Sequence, residues 1–225
     1  KRHLDMVYAH ILFGDKPFMG SVTAPDRATD SLKMAEIVFG TEFMKKNCVI
    51  QGNINANSPM VYDEVMSRAL RIYAADNQGV VISPFILGGA MSPVTMAGAL
   101  AQAHAEAMVG IALAQLVQAG CPIVYGNFLT TMDLKTGSPT FGTAESMLAT
   151  LAIGQLAKRL NLLFRCGGQY TASKSVDAQA MQESADVMLA GVMTGANFIF
   201  QAAGWLECGL TMGYEKFVVD ADHCG

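Results

Sequence analysis

The chain has 225 residues, with 15 Lys+Arg against 19 Asp+Glu and a formal net charge of −4, which offers no electrostatic footprint for a nucleic acid. Hydrophobic residues make up 52% and charged residues only 15%, so disorder is excluded and much of the chain must be covered on more than one side. The five cysteines, Cys48, Cys121, Cys166, Cys208 and Cys224, are odd in number and contain no C-x-x-C pair, which argues against a disulfide framework or zinc ribbon and points to a reducing cytoplasm.

In the opening run KRHLDMVYAHILFGDK, Asp5, His10 and Asp15 interrupt any apolar segment of a signal peptide. With no initiator Met, the expectation is an internal piece of a longer protein. An apolar, strand-like run at 18–22 opens the first of six β/α units. Further runs stand at 48–52, 80–84, 122–125, 162–166 and 197–201, apolar throughout rather than alternating, as in strands buried on both faces. Helical segments lie between them at 26–46, 61–76, 93–119, 143–160 and 175–194. Pro25-Asp26, Ser58-Pro59 and Thr143 ahead of Glu145 supply start signals, and Ala119-Gly120 before Cys121-Pro122 a stop. The stretch 96–119 is apolar, within a chain of mean hydropathy +0.31, but Gln102, His104, Glu106, Gln115 and Gln118 suit a helix packed in protein rather than a membrane span. Its apolar surface leaves homo-oligomerisation open.

This alternation predicts parallel strands with crossover helices in a single domain, 1–225. Two architectures fit, a TIM (β/α)8 barrel and a doubly wound open sheet. No G-x-G-x-x-G follows the first strand, where the text is MGSVTAPDR, so the favoured reading is α/β, an incomplete TIM barrel with one or more units outside this sequence.

In such folds ligands bind beyond the carboxyl ends of the strands. The residues there form a rim of glycines, amides and aromatics: Gly88-Gly89, Asn127-Phe128, Gly167-Gly168-Gln169-Tyr170 and Trp205, with Asp133 and Glu207 nearby. No histidine follows these strands, and neither a Ser/His/Asp set nor metal-ligand spacing occurs. His104 reads as a core histidine, and His3, His10 and His223 as solvated or capping residues. Phe85, Phe128, Tyr170 and Trp205 recur at successive strand ends beside carboxylates, the composition that holds a methylated ammonium by ring quadrupoles. Singly, each ring reads equally well as the cap of a barrel core. The glycine pairs lack the Lys-Ser/Thr of a Walker loop and read as turns leaving room for a bulky ligand.

The runs GGAMSPVTMAGALAQAHAEAMVG (88–110), YGNFLTTMDLKTGSPTFGTAES (125–146) and DAQAMQESADVMLAGVMTGANFI (177–199) resemble the trimethylamine methyltransferase family. The resemblance implies a TIM-barrel subunit that transfers a methyl group from an amine to the Co(I) of a corrinoid held on a separate protein, in chains much longer than this one. It implies no permanently bound cofactor. The archaeal trimethylamine enzymes carry pyrrolysine at a strand end, which the resemblance places near 167–173, and only standard residues stand there. The likeness therefore points to the branch without pyrrolysine, whose members act on quaternary amines such as glycine betaine.

On that reading Asn127, Phe128, Asp133, Arg165, Gln169, Tyr170, Gln201 and Trp205 are the substrate-binding candidates. Gly88, Gly89, Gly167 and Gly168 are the corrinoid-facing ones. Arg165, Lys135, Lys174, Asn127 or Gln169 would meet a betaine carboxylate, with Arg165 facing into the barrel, and Asp133 or Glu207 would balance the ammonium. Other readings are trimethylamine as substrate and a protein that binds a quaternary amine without chemistry. A Schiff-base aldolase is disfavoured, because no strand interior holds a lysine.

Overall fold

The computed structural model describes residues 1–225. In chain order its elements begin with α1 (Arg2–Phe13), β1 (Phe18–Met19), α2 (Pro25–Phe39), α3 (Thr41–Met44), β2 (Ile50–Ile54), α4 (Glu64–Ala75) and β3 (Gly79–Ile82). β4 (Phe85–Gly88), α5 (Met96–Val117), β5 (Ile123–Gly126), β6 (Phe128–Thr131), α6 (Ala144–Arg159) and β7 (Leu163–Gly167) follow. Then come α7 (Ala178–Met193), β8 (Phe198–Phe200), β9 (Trp205–Leu206), a 3-10 turn at Glu207–Gly209, β10 (Thr211–Met212) and α8 (Tyr214–His223). They form two compact units, residues 1–84 with 106–125 and residues 85–105 with 126–225, and α5 contributes to both.

In the first unit β1, β2, β3 and β5 pair in parallel in that order, with Phe18 opposite Ile50, Gly52 opposite Val80 and Val81 opposite Val124. Each strand is added on the same side as the last, the TIM-like order, without the reversal of a doubly wound sheet. Val80, Val81 and Ile82 are fully buried, which is why this run is continuously apolar. The helix expected over 26–46 is divided, because Gly40 takes a φ of 82° that ends α2 before α3 begins. α4 starts later than Ser58-Pro59 suggest. Its cap is Asp63, whose carboxylate accepts from the Met66 amide at 2.7 Å.

Ser58 is committed elsewhere: its hydroxyl donates to Glu106 Oε2 at 2.5 Å, while the Met60 amide donates to Oε1 at 2.8 Å and the Tyr62 hydroxyl to the Glu106 carbonyl at 2.8 Å. Glu106 is 2% exposed and sits on α5, the one helix long and apolar enough to cross a membrane. A buried, hydrogen-bonded carboxylate beside the buried Ala107, Ile111 and Ala114 makes α5 a core helix, as its polar residues predicted.

In the second unit β7 and β8 are parallel, with Arg165 opposite Phe198 and Gly167 opposite Phe200. The Cys166 sulfur and Ile199 lie against Gly191 of α7, so alternation turns Arg165, Phe198 and Phe200 to the sheet face away from that helix. All six expected strands are present, and four short ones are added. β4 pairs with β6 in parallel, from Phe85 opposite Phe128 to Gly88 opposite Thr131, where loops were expected, and β9 pairs antiparallel with β10. α7 is capped by Asp177, which accepts from the Ala180 amide at 2.9 Å. Thr143 precedes α6 without a side-chain cap, its hydroxyl donating instead to Thr140 O at 3.1 Å.

Candidate functional site

The site builds from three strand ends of the second unit. Asn127 bridges β5 to β6: its amide donates to the Arg165 carbonyl at 2.9 Å and its own carbonyl accepts from Arg165 Nη1 at 2.9 Å. The Asn127 side chain is also held, donating to Thr150 Oγ1 at 3.1 Å and accepting from the Leu129 amide at 3.0 Å. The Arg165 backbone and guanidinium are thus both gripped by one residue of the neighbouring strand.

Arg165 is 1% exposed, and its guanidinium carbon lies 5.3 Å from the ring centre of Phe128 and 5.1 Å from that of Phe200. Cation–π attraction of this kind is worth about 2 kcal/mol once water is excluded. Arg165 Nη2 donates to Gln201 Oε1, which also accepts the Tyr170 hydroxyl. Gln201 makes these contacts from a left-handed backbone, φ 57°, a conformation costing a non-glycine residue about 1 kcal/mol or more. Burial pushes the Arg165 pKa down and the Tyr170 pKa up. A guanidinium starts too high to be neutralised by burial, so the pair works as a cation beside a neutral phenol.

Around this polar knot the rings pack closely. Phe128 lies 5.1 Å from Phe85, 5.3 Å from Phe141 and 5.6 Å from Tyr170, edge-on to the last, while Phe141 stacks on Tyr170 at 4.7 Å. Trp205 packs against the buried group of Phe141, Tyr170 and Val187. The cavity among them, lined by Asn127, Phe128, Phe141 and Tyr170, measures about 20 Å³. That admits a water molecule and is too small for a trimethylammonium group.

The glycines have local reasons. A Cβ on Gly167 would overlap the Tyr170 ring and one on Gly168 would overlap the Ala202 backbone, so both are small to let neighbours approach. Gly89 takes a φ of 88° in the turn after β4, and a side chain on Gly88 would meet only ordinary contacts.

The structure thus brings together Asn127, Phe128, Arg165, Tyr170, Gln201 and Trp205, and it leaves Asp133 and Gln169 outside. Asp133 closes its own turn, accepting from the Lys135 amide at 3.1 Å and the Thr136 hydroxyl at 2.6 Å, bonds that lower its pKa. Gln169 turns to α8: its Nε2 donates to the carbonyls of Ala202 and Asp220, and its Oε1 lies 2.7 Å from His223 Nδ1. Glu207 pairs with Lys174 at 3.4 Å. Sequence reasoning missed Phe141, Phe200 and Thr150. Phe200 was recoverable, since it alternates with Phe198 two residues along a strand, whereas Phe141 sits in a turn-rich stretch without periodicity.

The model of the family described as "Trimethylamine methyltransferase (MTTB)" matches residues 1–225. A glycine betaine methyltransferase of Desulfitobacterium hafniense (strain Y51) is 40% identical over all 225 residues, which cover 47% of that protein. A trimethylamine methyltransferase, MttB, of Methanosarcina thermophila is 38% identical over 136 residues, 60% of this chain and 28% of that one. A second MttB, from D. hafniense (strain DSM 10664 / DCB-2), is 32% identical over 193 residues, 84% of this chain and 38% of that one. The chain spans about half the length, or less, of the curated relatives it matches. Among solved structures, FolP (dihydropteroate synthase) from Clostridium difficile is 12% identical with a TM-score of 0.44, over 99% of this chain and 84% of that one. On a match across its whole length, the chain belongs to the trimethylamine methyltransferase family of methyltransferases.

Proposed function

We propose that this chain carries the amine-binding part of a methyltransferase that passes a methyl group from a glycine betaine-like quaternary amine to the Co(I) of a corrinoid borne by a separate protein. The observation that carries this reading is the 40% identity to a glycine betaine methyltransferase over every residue of the chain. The absence of pyrrolysine from 167–173 points the same way.

The corrinoid is a co-substrate that supplies the nucleophilic metal. The C–N bond breaks with its electron pair left on nitrogen, converting a cation into a neutral tertiary amine, so the leaving group needs no proton. What remains for the protein is to strip water from the ammonium, hold it, and aim one methyl at the acceptor. Arg165 is assigned the betaine carboxylate, since its guanidinium is desolvated and fixed by Asn127 and Gln201. Phe128 already turns a face to Arg165, so the ammonium falls to the half-buried rings of Phe85, Phe128 and Trp205, with Tyr170 behind them. Admitting it beside Phe128 requires that ring to part from Phe141 and Tyr170, given the 20 Å³ among them. Gly88 and Gly89, at the end of β4 and without the close neighbours of Gly167 and Gly168, are assigned to the corrinoid face. A Co(I) acceptor and five free cysteines both suit the cytoplasm.

The test is methyl transfer by the full protein to free cob(I)alamin under anaerobic conditions, followed in the visible spectrum, with glycine betaine, carnitine, proline betaine and trimethylamine added in turn. Methylated corrinoid with glycine betaine is the expected result. Reaction with trimethylamine alone would reassign the substrate, and binding of glycine betaine without transfer, to free corrinoid or to the cognate corrinoid protein, would make the chain a binding protein.

A further inference from the structure

Lys216 and Asp220 of α8 are both fully buried, an ion pair one helical turn apart with Nζ 2.5 Å from each carboxylate oxygen. Lys216 Nζ also donates to Ser184 Oγ of α7 at 2.9 Å. Burying two charges costs several kcal/mol each before they attract, so a pair like this is a poor way to gain stability and needs another account. Its remaining bond supplies one. Asp220 Oδ2 accepts the backbone amide of Gly204 at 2.8 Å, inside the segment 201–205 that joins β8 to β9.

That segment carries Gln201 at one end and Trp205 at the other, and the polar backbone contacts between them go to α8, to its approach and to Gln169, which itself bonds to α8. The Gly204 carbonyl accepts from the Gly213 amide at 3.0 Å, just ahead of α8, and the Ala202 carbonyl accepts from Gln169 Nε2 at 2.9 Å. Gln169 donates in turn to the Asp220 carbonyl at 2.8 Å. Gly204 stands at φ 88°, with Phe217 of α8 packed against it. The Gly204 end of the segment is therefore fixed by α8 and its approach, and the Ala202 end by the turn after β7, while Gln201 and Trp205 present side chains to the aromatic cluster.

We propose that the buried Lys216–Asp220 pair is a positioning element: by holding the Gly204 amide it sets the segment 201–205, and through it Gln201 and Trp205, in place for the quaternary amine. The inference rests on the reading of the cluster as the amine site. Neither residue touches that site, so both act through the segment. An oxygen acceptor at position 220 is what the segment requires; the charge on Lys216 serves to hold that acceptor in one orientation.

The test compares two uncharged replacements in the full protein. Lys216→Met with Asp220→Leu fills the space and removes the acceptor, whereas Lys216→Met with Asp220→Asn keeps an oxygen beside the Gly204 amide. Loss of one buried hydrogen bond corresponds to about a 3- to 10-fold change in an equilibrium. The expected result is a 3- to 10-fold rise in KM for glycine betaine in the Leu variant with kcat less affected, and recovery of most of that loss in the Asn variant. With 5-fluorotryptophan incorporated, the resonance that Trp205→Phe removes should shift or broaden in the Leu variant and return in the Asn variant. A Leu variant that is folded by circular dichroism with an unchanged Trp205 resonance overturns the proposal, and so does a shifted resonance with unchanged KM. If the wild-type protein acts on no quaternary amine, the substrate reading fails by itself. The Trp205 resonance then decides alone whether the pair anchors the segment.

Discussion

The two units build similar parallel β/α layers and spend their buried polar groups differently. In the first, the buried polar side chains tie a helix or a strand start to a loop. Glu106 on α5 gathers Ser58, Met60 and Tyr62, and Gln78 accepts the Val49 amide at 3.0 Å while its side-chain amide donates to Met44 O at 2.9 Å. Glu106 and Gln78 are each saturated by their own neighbours. In the second unit one set ties strand ends to one another, Asn127 to Arg165 and Arg165 to Gln201, around ring faces, while Lys216 and Asp220 tie α8 to a loop as in the first. The strand-end set holds a desolvated cation and half-buried rings at the end of the strands, where α/β folds place ligands.

Four substitutions and a titration sharpen that contrast, from the largest effect to the smallest. Arg165→Ala deletes the cation and strands Gln201 and the Asn127 carbonyl in a dry site. It should lower kcat/KM for glycine betaine by about 100-fold or more, on the order of 3 kcal/mol, and lower that for a choline-like amine far less. Equal losses for both amines would make Arg165 structural. Glu106→Ala should instead cost about 2–3 kcal/mol of folding stability by denaturant titration and leave the KM of the folded fraction alone. A raised KM there would erase the division between the units.

Gly167→Ala drives a methyl group into the Tyr170 ring, and overpacking of this kind costs about 1–3 kcal/mol. The expected outcome is weaker amine binding out of proportion to the loss of melting temperature. Trp205→Ala should weaken quaternary-amine binding by about 1–2 kcal/mol in calorimetry, and unchanged affinity would remove the indole from the site.

The last effect is nil at neutral pH and emerges only in alkali. Burial, only partly offset by the Arg165 charge, pushes the Cys166 thiol from its ordinary 9.0 up to about 11. The folded state keeps the proton where the unfolded chain releases it, so stability is complete below pH 9, falls as the pH rises, and levels off above about 11. Cys166→Ala should flatten that slope. A slope unchanged by the substitution would assign it to other groups.

The sequence shows the repeat and hides its elaborations. Runs such as VVI and IVY are strands because no polar residue interrupts them, and Arg165 stands out because an arginine inside such a run must find a partner. FILG and FLTT sit directly after strands, beside turn residues, so β4 and β6 read as loops; their pairing is a tertiary fact. α1 and α8 are short and carry charge along their length, and Lys216 with Asp220 looks like any solvated i,i+4 pair until burial is known. Asp133 and Gln169 stand at strand ends as expected, yet local partners claim both side chains, which position in the sequence does not reveal. Gln201 enters as the polar last residue of the run 197–201; that it turns left-handed to receive two donors depends on Tyr170 and Arg165.

The measurement that tests the central claim most directly is a crystal structure of the full protein with glycine betaine bound. The account predicts the carboxylate on the Arg165 guanidinium and the trimethylammonium within about 6 Å of the Phe128 or Trp205 ring centre, with those rings moved apart to admit it. Glycine betaine bound elsewhere, with the small cavity among Phe128, Phe141 and Tyr170 unchanged, would contradict it.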